Sequence, residues 1–407
     1  MKKRKVAAVI CEYNPFHEGH AWLFRNLRGE MGEDTAIVAI MSGNFTQRGE
    51  PAIFPKQIRA ACAVRGGADL VLELPFPYSS AGAERFASAG VCIANALGVV
   101  DTLFFGSECG DIAPLMQLAE RLEAPAFLDA YFSVDEHTGI GCAQKTEVAY
   151  KVVYGEKDPL CPLLRQPNNL LGVEYIRALL RCHSIIRPFT LLRQGMKHDE
   201  TEIKHGTATT SAGAARQLLV KADQRDQALQ MLPVYTRDIL NTAIKDGSIL
   251  SSENRLLSFL LLYYRICHRE ELICCDGMKG GLADRILRAA SNAATPEDFF
   301  AALRSKNHTD AYLRRALLYG MLSVSREQLN APPAYTQILA MNECGKEVLA
   351  SARRKTAIPL FNRPSAIHQL PEEKKISLRA DSIYSALLEQ PSRPCDQLRY
   401  QPYRENT

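Results

Sequence analysis

Two histidines near the start of the chain, His17 and His20, have the residue type and the spacing needed to bind phosphate. Three positions apart on a helix, they lie on the same side, and their imidazole N–H groups can donate hydrogen bonds to anionic oxygens. Gly19 between them allows a phosphate chain to approach the backbone, and Pro15 fixes the turn before the helix. The spacing therefore predicts a phosphate-binding turn. The alternative is a polar helix start with two solvated histidines.

The elements on either side of these histidines agree with a phosphate site. The apolar residues 6–11 predict a buried strand, and residues 21–27 predict a helix. A strand, a tight polar turn and a helix, in that order, form the place where an open parallel sheet binds nucleotide phosphates. We therefore expect the segment 12–20 to lie at the carboxyl edge of such a sheet.

Further apolar segments alternate with helical ones through the first half of the chain. Strands are predicted at residues 34–42, 69–75, 102–107 and 189–193, and helices at 56–65 and 83–97. Continuous apolar strands separated by helices indicate an α/β fold, with a Rossmann-like parallel sheet that carries helices on both faces. After about residue 225 the alternation stops. We expect an α/β domain over residues 1–225, an all-helical domain over residues 226–407, and a polar tail from Pro391 onward without order.

Polar and cationic residues follow the predicted strands at the ends where a ligand site forms in such sheets. Attack on a phosphate needs cations where negative charge develops, and Arg48, Arg193 and Arg216 are candidates alongside the two histidines. Gly106 would let the backbone approach an adenine or a ribose. Magnesium is expected to accompany the phosphates. One such loop could be simple helix capping, but several on one edge favour a binding site.

The composition narrows the class of protein. With 407 residues, 46% of them hydrophobic and 23% charged, the chain is typical of a globular protein. Its twelve cysteines include no Cys-x-x-Cys pair, which favours a reducing cytoplasm over a disulfide framework or a structural zinc site. No apolar run is long enough to span a bilayer, and we expect no targeting segment. The net charge of +4 does not by itself require nucleic acid.

Five motifs occur in order along the chain: EYNPFH at 12–17, SGNFTQRGEPA at 42–52, GADLVLELP at 67–75, FGSE at 105–108 and PNNLLGVEY at 167–175. Together they resemble the bacterial tRNA(Met) cytidine acetate ligase family, and His-x-Gly-His resembles the signature of the nucleotidyltransferase superfamily. The resemblance covers roughly residues 5–220. It implies a nucleotidyltransferase-type fold and an enzyme that activates acetate with ATP as acetyl-adenylate. The acetyl group would then pass to N4 of the wobble cytidine in elongator tRNA(Met), without a DNA or membrane partner.

Charge and resemblance together select the residues expected to act. His17, His20 and Arg48 are expected to be catalytic, and Arg314 and Arg315 in the helical region are expected to contact tRNA. The residues expected to bind ATP are Val9, Ile10, Cys11, Glu12, Tyr13, Asn14, Pro15, Phe16, His17, Glu18, Gly19, His20, Ala21, Trp22, Gly106, Asn168, Arg193, Ser211 and Arg216.

Two segments depart from the family pattern. The second phosphate motif of the superfamily usually reads Ser-x-Thr-x-Ile-Arg, whereas residues 211–216 read SAGAAR and lack the threonine and the isoleucine. Residues 306–315, KNHTDAYLRR, are less arginine-rich than in the family, and Asp310 has the wrong charge for a phosphate contact. Two alternatives therefore stay open. One is an adenylyltransferase acting on a small phosphorylated metabolite, and the other is a non-catalytic relative that binds nucleotide or tRNA.

Overall fold

A mostly parallel β-sheet lies at the centre of the molecule in the computed structural model, which describes residues 4–134, 141–193, 212–252, 254–372, 375–393 and 400–405. The strands are β1 (Val6–Cys11), β2 (Ala36–Ser42), β3 (Leu70–Leu74), β4 (Thr102–Ser107), β5 (Arg187–Leu192), β6 (Thr336–Met341), β7 (Leu360–Phe361) and β8 (Tyr403–Arg404). They lie in the order β5-β4-β1-β2-β3-β6-β7, and β8 also pairs with β6. The first five strands are parallel to one another, which confirms the predicted sheet.

Helices cover both faces of this sheet, as the continuous apolar strands predicted. Those of the first half are α1 (Glu18–Met31), α2 (Lys56–Arg65), α3 (Ala83–Ala96), α4 (Ile112–Glu123), α5 (Pro125–Ser133), α6 (Cys142–Tyr154) and α7 (Pro167–Arg181). Successive residues of a strand point to opposite faces. Ala7 and Val9 of β1 therefore pack into one core with α1 and α2, whereas Ala8 and Ile10 pack into a second core with α3 and α7.

The rest of the chain is largely helical, as expected after residue 225. Its helices are α8 (Ala212–Leu219), α9 (Arg225–Gln230), α10 (Arg237–Lys245), α11 (Arg255–Ile266), α12 (Arg269–Ile273), α13 (Leu282–Asn292), α14 (Pro296–Leu303), α15 (Asp310–Leu322), α16 (Arg326–Asn330), α17 (Glu343–Ala352) and α18 (Ile376–Ser385). The expectation that this region is all-helical needs one correction, because β6, β7 and β8 belong to it. β6 runs antiparallel to β3 and is buried along its whole length. It covers the edge that β3 would otherwise leave exposed.

Strands from near both ends of the sequence, β1 and β8, belong to the same sheet. Residues Tyr403 and Arg404 of the polar tail form β8 beside Ala340 and Met341, so this part of the tail is ordered, contrary to expectation. The division into domains at residues 225 and 226 stays a prediction. No helix within the described ranges combines the length and the apolarity that crossing a bilayer requires.

Candidate functional site

The two histidines lie together at the start of α1, on one side of it. His17 is the N-cap residue, and its Nδ1 accepts a hydrogen bond from the backbone N–H of Gly19 at 3.1 Å. The Nδ1 of His20 accepts one from the backbone N–H of His17 at 3.2 Å. The two rings stack with their centroids 3.7 Å apart. Because Nδ1 is an acceptor in both rings, the proton of each neutral imidazole sits on Nε2.

The imidazole of His20 is held in its neutral form. Burial lowers the pKa of His20 well below its usual value, and the nearby charges of His17 and Arg193 lower it further. At neutral pH the ring therefore carries a single N–H, on Nε2. This N–H is a hydrogen-bond donor that an anionic oxygen can accept.

This lowered pKa predicts how the stability of the fold depends on pH. In the unfolded chain His20 takes up a proton near pH 6.5, whereas the folded chain resists protonation. The stabilising contribution of the neutral ring is thus complete above the unfolded pKa and is lost as the pH falls below it. We expect the melting temperature of the parent to fall more than that of His20→Asn between about pH 7.5 and about pH 5.5. An equal fall in the melting temperature of the two proteins over that range would contradict the lowered pKa of His20.

A second group of predicted residues lies at the ends of β4 and β5. The carboxylate of Glu108 accepts hydrogen bonds from the backbone N–H groups of Asn168, at 3.0 Å, and Asn169, at 2.6 Å, and so caps the start of α7. Asn168 Oδ1 accepts a hydrogen bond from Arg193 Nη1 at 3.0 Å. A Cβ atom on Gly106 would come within 2.9 Å of the Arg193 side chain. Gly106, Asn168 and Arg193 are therefore brought together, and Arg193 lies close enough to His20 for its charge to lower the pKa of that imidazole.

The segment between β1 and α1 also organises the loop that follows β2. The carboxylate of Glu12 accepts a hydrogen bond from the backbone N–H of Gln47 at 2.7 Å, and Asn14 Oδ1 accepts one from Ile53 at 2.8 Å. The carbonyl of Asn14 accepts a hydrogen bond from Arg216 Nη1 at 2.7 Å. Burial raises the pKa of Glu12, although the hydrogen bond from Gln47 and the charge of Arg216 oppose this rise. Arg216 on α8 therefore lies at the histidine segment, and its contact with ATP stays a prediction. Ser211 lies outside the described residues.

Several residues of the predicted ATP set have side chains that are buried in the core. Phe16 and Ala21 are buried in the same core as Val9, whereas Ile10 packs on the other face of the sheet. Their part in ATP binding stays a prediction. Trp22 is half-buried on α1.

Arg59 on α2 is a central residue of this edge that sequence reasoning missed. Its fully buried guanidinium donates hydrogen bonds to the carbonyl oxygens of Glu12, at 2.5 Å, and Ser42, at 3.1 Å, and to that of Gly43. It therefore fixes the separation between the carboxyl ends of β1 and β2. The sequence does contain one indication of this role. Arg59 is a lone arginine on the apolar side of a predicted helix, where an uncharged residue is usual.

A buried ion cluster lies beneath the same loop. Lys56 Nζ donates hydrogen bonds to Glu73, at 2.7 Å, and to Asp381, at 2.6 Å, and all three residues are buried. Asn44 joins the cluster by donating to the other carboxylate oxygen of Asp381 at 2.8 Å. This cluster, Lys56–Glu73–Asp381, attaches α18 near the C-terminus to the ends of β2 and β3.

The loop after β2 contacts the helical region directly. Arg48 is exposed and has no hydrogen-bond partner among the described residues. Its neighbours are held by α15, because Glu50 pairs with Arg314 at 2.8 Å and the carbonyl of Gln47 accepts a hydrogen bond from Arg315 at 3.0 Å. The sequence predicted that these two arginines lie in the helical region and contact tRNA. The structure shows that α15 packs on the loop that carries Arg48, and the contact with tRNA stays a prediction.

Gly49 allows this close packing. It has φ +74°, and an added Cβ would lie 2.8 Å from the backbone nitrogen of Arg315. Gly49→Ala should therefore cost about 1–3 kcal/mol of stability through strain and push the loop away from α15. The matched control is Gly29→Ala, in α1, where a Cβ meets nothing within 4 Å and should be neutral or stabilising. Thermal melting of both variants checks this, and equal melting temperatures would contradict it.

The chain is similar to known proteins over most of its length. The family described as HIGH Nucleotidyl Transferase matches residues 4–398. The tRNA(Met) cytidine acetate ligase of Caldicellulosiruptor saccharolyticus is 33% identical, covering 94% of each chain. The protein of the same name from Alkaliphilus metalliredigens is 32% identical, covering 88% of each chain. The crystal structure of Thermotoga maritima TmcAL bound with alpha-thio ATP superposes with a TM-score of 0.88 at 30% identity, over 99% of this chain and 100% of that one.

Proposed function

Because the chain belongs to the HIGH Nucleotidyl Transferase family, as an enzyme among its tRNA(Met) cytidine acetate ligases, we propose that it acetylates N4 of the wobble cytidine in elongator tRNA(Met) with ATP and acetate. One observation supports this most strongly. The stacked imidazole pair at the start of α1 lies near the Asn168–Arg193 pair at the carboxyl ends of β1 and β4. Parallel sheets bind nucleotides at such an edge.

The described residues fit an ATP molecule as substrate. In the proposal the Nε2–H groups of His17 and His20 donate to phosphate oxygens, and Arg193 and Arg216 supply positive charge beside them. Gly106 leaves room for the side chain of Arg193 at this edge, where the nucleoside is proposed to bind. The described residues contain no group of three His, Cys, Asp or Glu side chains that could hold a metal ion. The phosphates of ATP would thus supply most of the ligands of a magnesium ion.

The first proposed step is the activation of acetate. A carboxylate oxygen of acetate attacks the α-phosphorus of ATP, and the bond from that phosphorus to the bridging oxygen of the β-phosphate breaks. Acetyl-adenylate forms and pyrophosphate leaves. Negative charge grows on the phosphate oxygens during this step, so preorganised N–H donors stabilise the transition state more than the bound substrate. His17 and His20 are proposed to have this role.

The second proposed step is transfer of the acetyl group. The N4 amine of cytidine attacks the acetyl carbon, the bond from that carbon to the phosphate oxygen breaks, and AMP leaves while N4 loses a proton. Arg314 and Arg315 are proposed to contact the tRNA. Residues 1–225 are proposed to form the ATP-binding domain, and residues 226–407 the domain that contacts tRNA. The contact between α15 and the loop of Arg48 supports this arrangement, because it places the two proposed surfaces side by side.

The activation step can be tested without tRNA. Acetate-dependent exchange of labelled pyrophosphate into ATP should occur with the purified protein, and omitting acetate should abolish it. Acetylation of tRNA should likewise need ATP and acetate and no coenzyme A. Exchange stimulated by a phosphorylated metabolite instead of acetate would favour a small-molecule adenylyltransferase. Acetylation supported only by acetyl-coenzyme A would contradict the proposed mechanism.

A further inference from the structure

The loop after β2 folds back on itself as a short hairpin over residues 44–52, which we call the Arg48 hairpin. The backbone N–H of Thr46 donates a hydrogen bond to the carbonyl of Glu50 at 2.9 Å, and the N–H of Gly49 donates one to the carbonyl of Thr46 at 2.9 Å. The second of these bonds closes a β-turn in which Arg48 is the third residue. The tip of the hairpin therefore presents Arg48, a residue expected to be catalytic, on a closed backbone.

The backbone of Gln47, at the tip of this hairpin, is held from two sides. Its N–H donates a hydrogen bond to the carboxylate of Glu12 at 2.7 Å, and its carbonyl accepts one from Arg315 Nη1 at 3.0 Å. The guanidinium of Arg315 is always charged, and a hydrogen bond from a charged donor contributes more than one between neutral groups. Since Arg48 follows Gln47 directly, these two bonds also fix where the backbone of Arg48 lies.

Helix α15, which carries Arg315, supports the Arg48 hairpin at further points. Arg314 pairs with Glu50 at 2.8 Å. An added Cβ on Gly49 would lie 2.8 Å from the backbone nitrogen of Arg315, so the hairpin and the helix touch there without an intervening side chain. Arg48 itself is exposed. The helix therefore holds the backbone of the hairpin and leaves the guanidinium of Arg48 open to a ligand.

The Arg48 hairpin thus joins two parts of the proposed enzyme. Glu12 belongs to the segment between β1 and α1 that carries the two histidines, whereas Arg315 belongs to the helix proposed to contact tRNA. Both residues bond to the backbone of Gln47. A guanidinium has five N–H donors, so the bond to Gln47 leaves Arg315 able to contact tRNA as well. The position of Arg48 therefore depends on both segments.

We propose that Arg315 is a positioning residue for the activation of acetate, because it holds the Arg48 hairpin where Arg48 can reach the phosphates of ATP. This inference rests on the proposed function, and it gives Arg315 a role in the half-reaction that needs no tRNA. Arg315 touches neither substrate in that step and acts through the backbone of Gln47. Position matters because a displacement of about 1 Å can cost on the order of a hundredfold in rate. A helix that served tRNA alone would have no effect on this step.

The test is acetate-dependent exchange of labelled pyrophosphate into ATP without tRNA, with the concentration of ATP varied. Arg315→Ala should lower kcat about tenfold, whereas the KM for ATP should change little, because the histidine segment keeps its own contacts. Arg315→Lys retains a donor for the carbonyl of Gln47 and should recover part of kcat. The matched control is Arg304→Ala. Arg304 is an exposed arginine that pairs with Asp310 at the start of α15, so its removal should leave exchange as it is in the parent.

A double-mutant cycle with Arg48→Ala separates positioning from a general loss of structure. If Arg315 acts through Arg48, Arg48→Ala lowers exchange by itself, and adding Arg315→Ala lowers it little further. Effects that multiply would show that Arg315 supports the fold independently of Arg48 and would overturn the inference, as would normal exchange by either single variant. Each rate is measured well below the melting temperature of the variant, so that unfolding does not lower it. Absence of exchange in the parent itself would instead contradict the proposed function.

Discussion

Replacing His20 with alanine is expected to slow acetyl-adenylate formation by about a hundredfold or more, the usual effect of losing one preorganised donor. The reason is geometric. His20 Nδ1 is occupied by the backbone N–H of His17, so Nε2 carries the only proton of the neutral ring. That donor is fixed before ATP binds and needs no reorganisation during the reaction. The measurement is the rate of acetate-dependent pyrophosphate exchange at saturating ATP.

Two further substitutions at this position separate the donor from the scaffold. His20→Asn can accept the hydrogen bond from His17 as Nδ1 does, but it has no group in the place of Nε2. His20→Gln can place an amide N–H near the position of Nε2. We expect Asn to be folded and as slow as Ala, and Gln to recover part of the rate. Near-normal exchange by the Asn variant would exclude His20 as a phosphate donor.

Replacing Lys56 with methionine is expected to have the largest effect on stability, a loss of about 3–5 kcal/mol. The substitution leaves Glu73 and Asp381 buried within a few ångströms of each other without the cation that both contact. Burial already raises the pKa of Glu73 in the parent, although Lys56 opposes the rise. In the variant the Glu73 carboxylate should be easier still to protonate. The measurement is the free energy of unfolding in urea.

The pH dependence of this variant tests whether charge is the cause. Protonation of Glu73, whose pKa is raised, removes one of the two buried negative charges, so the stability deficit of Lys56→Met should shrink as the pH falls from about 7 toward about 5. Adding Glu73→Gln should likewise restore part of the loss. Lys346→Met is the matched control, since Lys346 forms an exposed pair with Glu343 in α17 and should cost less than about 1 kcal/mol. A deficit that is independent of pH would indicate lost packing instead of uncompensated charge.

The parallel sheet could be predicted from the sequence because its strands are continuous apolar runs. The segment 102–107 was predicted with the bounds that β4 has, and 69–75 exceeds β3 by one residue at each end. Both strands are buried, so their hydrophobic pattern carries the information. β6 was missed for a physical reason. Its six residues lie among helices, and its partner β3 is more than 260 residues earlier in the chain, so no local pattern indicates the pairing.

Part of the candidate site was predictable for a related reason. His17, Gly19 and His20 are close in sequence, and helical spacing alone places both imidazoles on one side. The grouping of Gly106, Asn168 and Arg193 came from the family resemblance, since those residues belong to three separate elements. The structure brings them together as the resemblance implied. Their roles toward ATP stay predictions.

Most of the contacts that sequence reasoning missed join distant parts of the chain. Asp381 reaches Lys56 across 325 positions, and Arg315 reaches Gln47 across 268. Arg59 is closer to its partners, but an arginine in a helix pattern is ordinarily solvated, and only tertiary structure shows it to be buried. Lys56, Asp381 and Arg59 set the shape of the edge through hydrogen bonds inside the protein. Their side-chain types therefore carry no chemical signal of their own.

The central claim is tested most directly by mass spectrometry of tRNA nucleosides after incubation with the protein, ATP and isotope-labelled acetate. The account predicts labelled N4-acetylcytidine in elongator tRNA(Met), formed only when both ATP and acetate are present and not formed by His20→Ala. Absence of acetylated cytidine with a protein that binds ATP, or acetylation that proceeds without ATP, would contradict it.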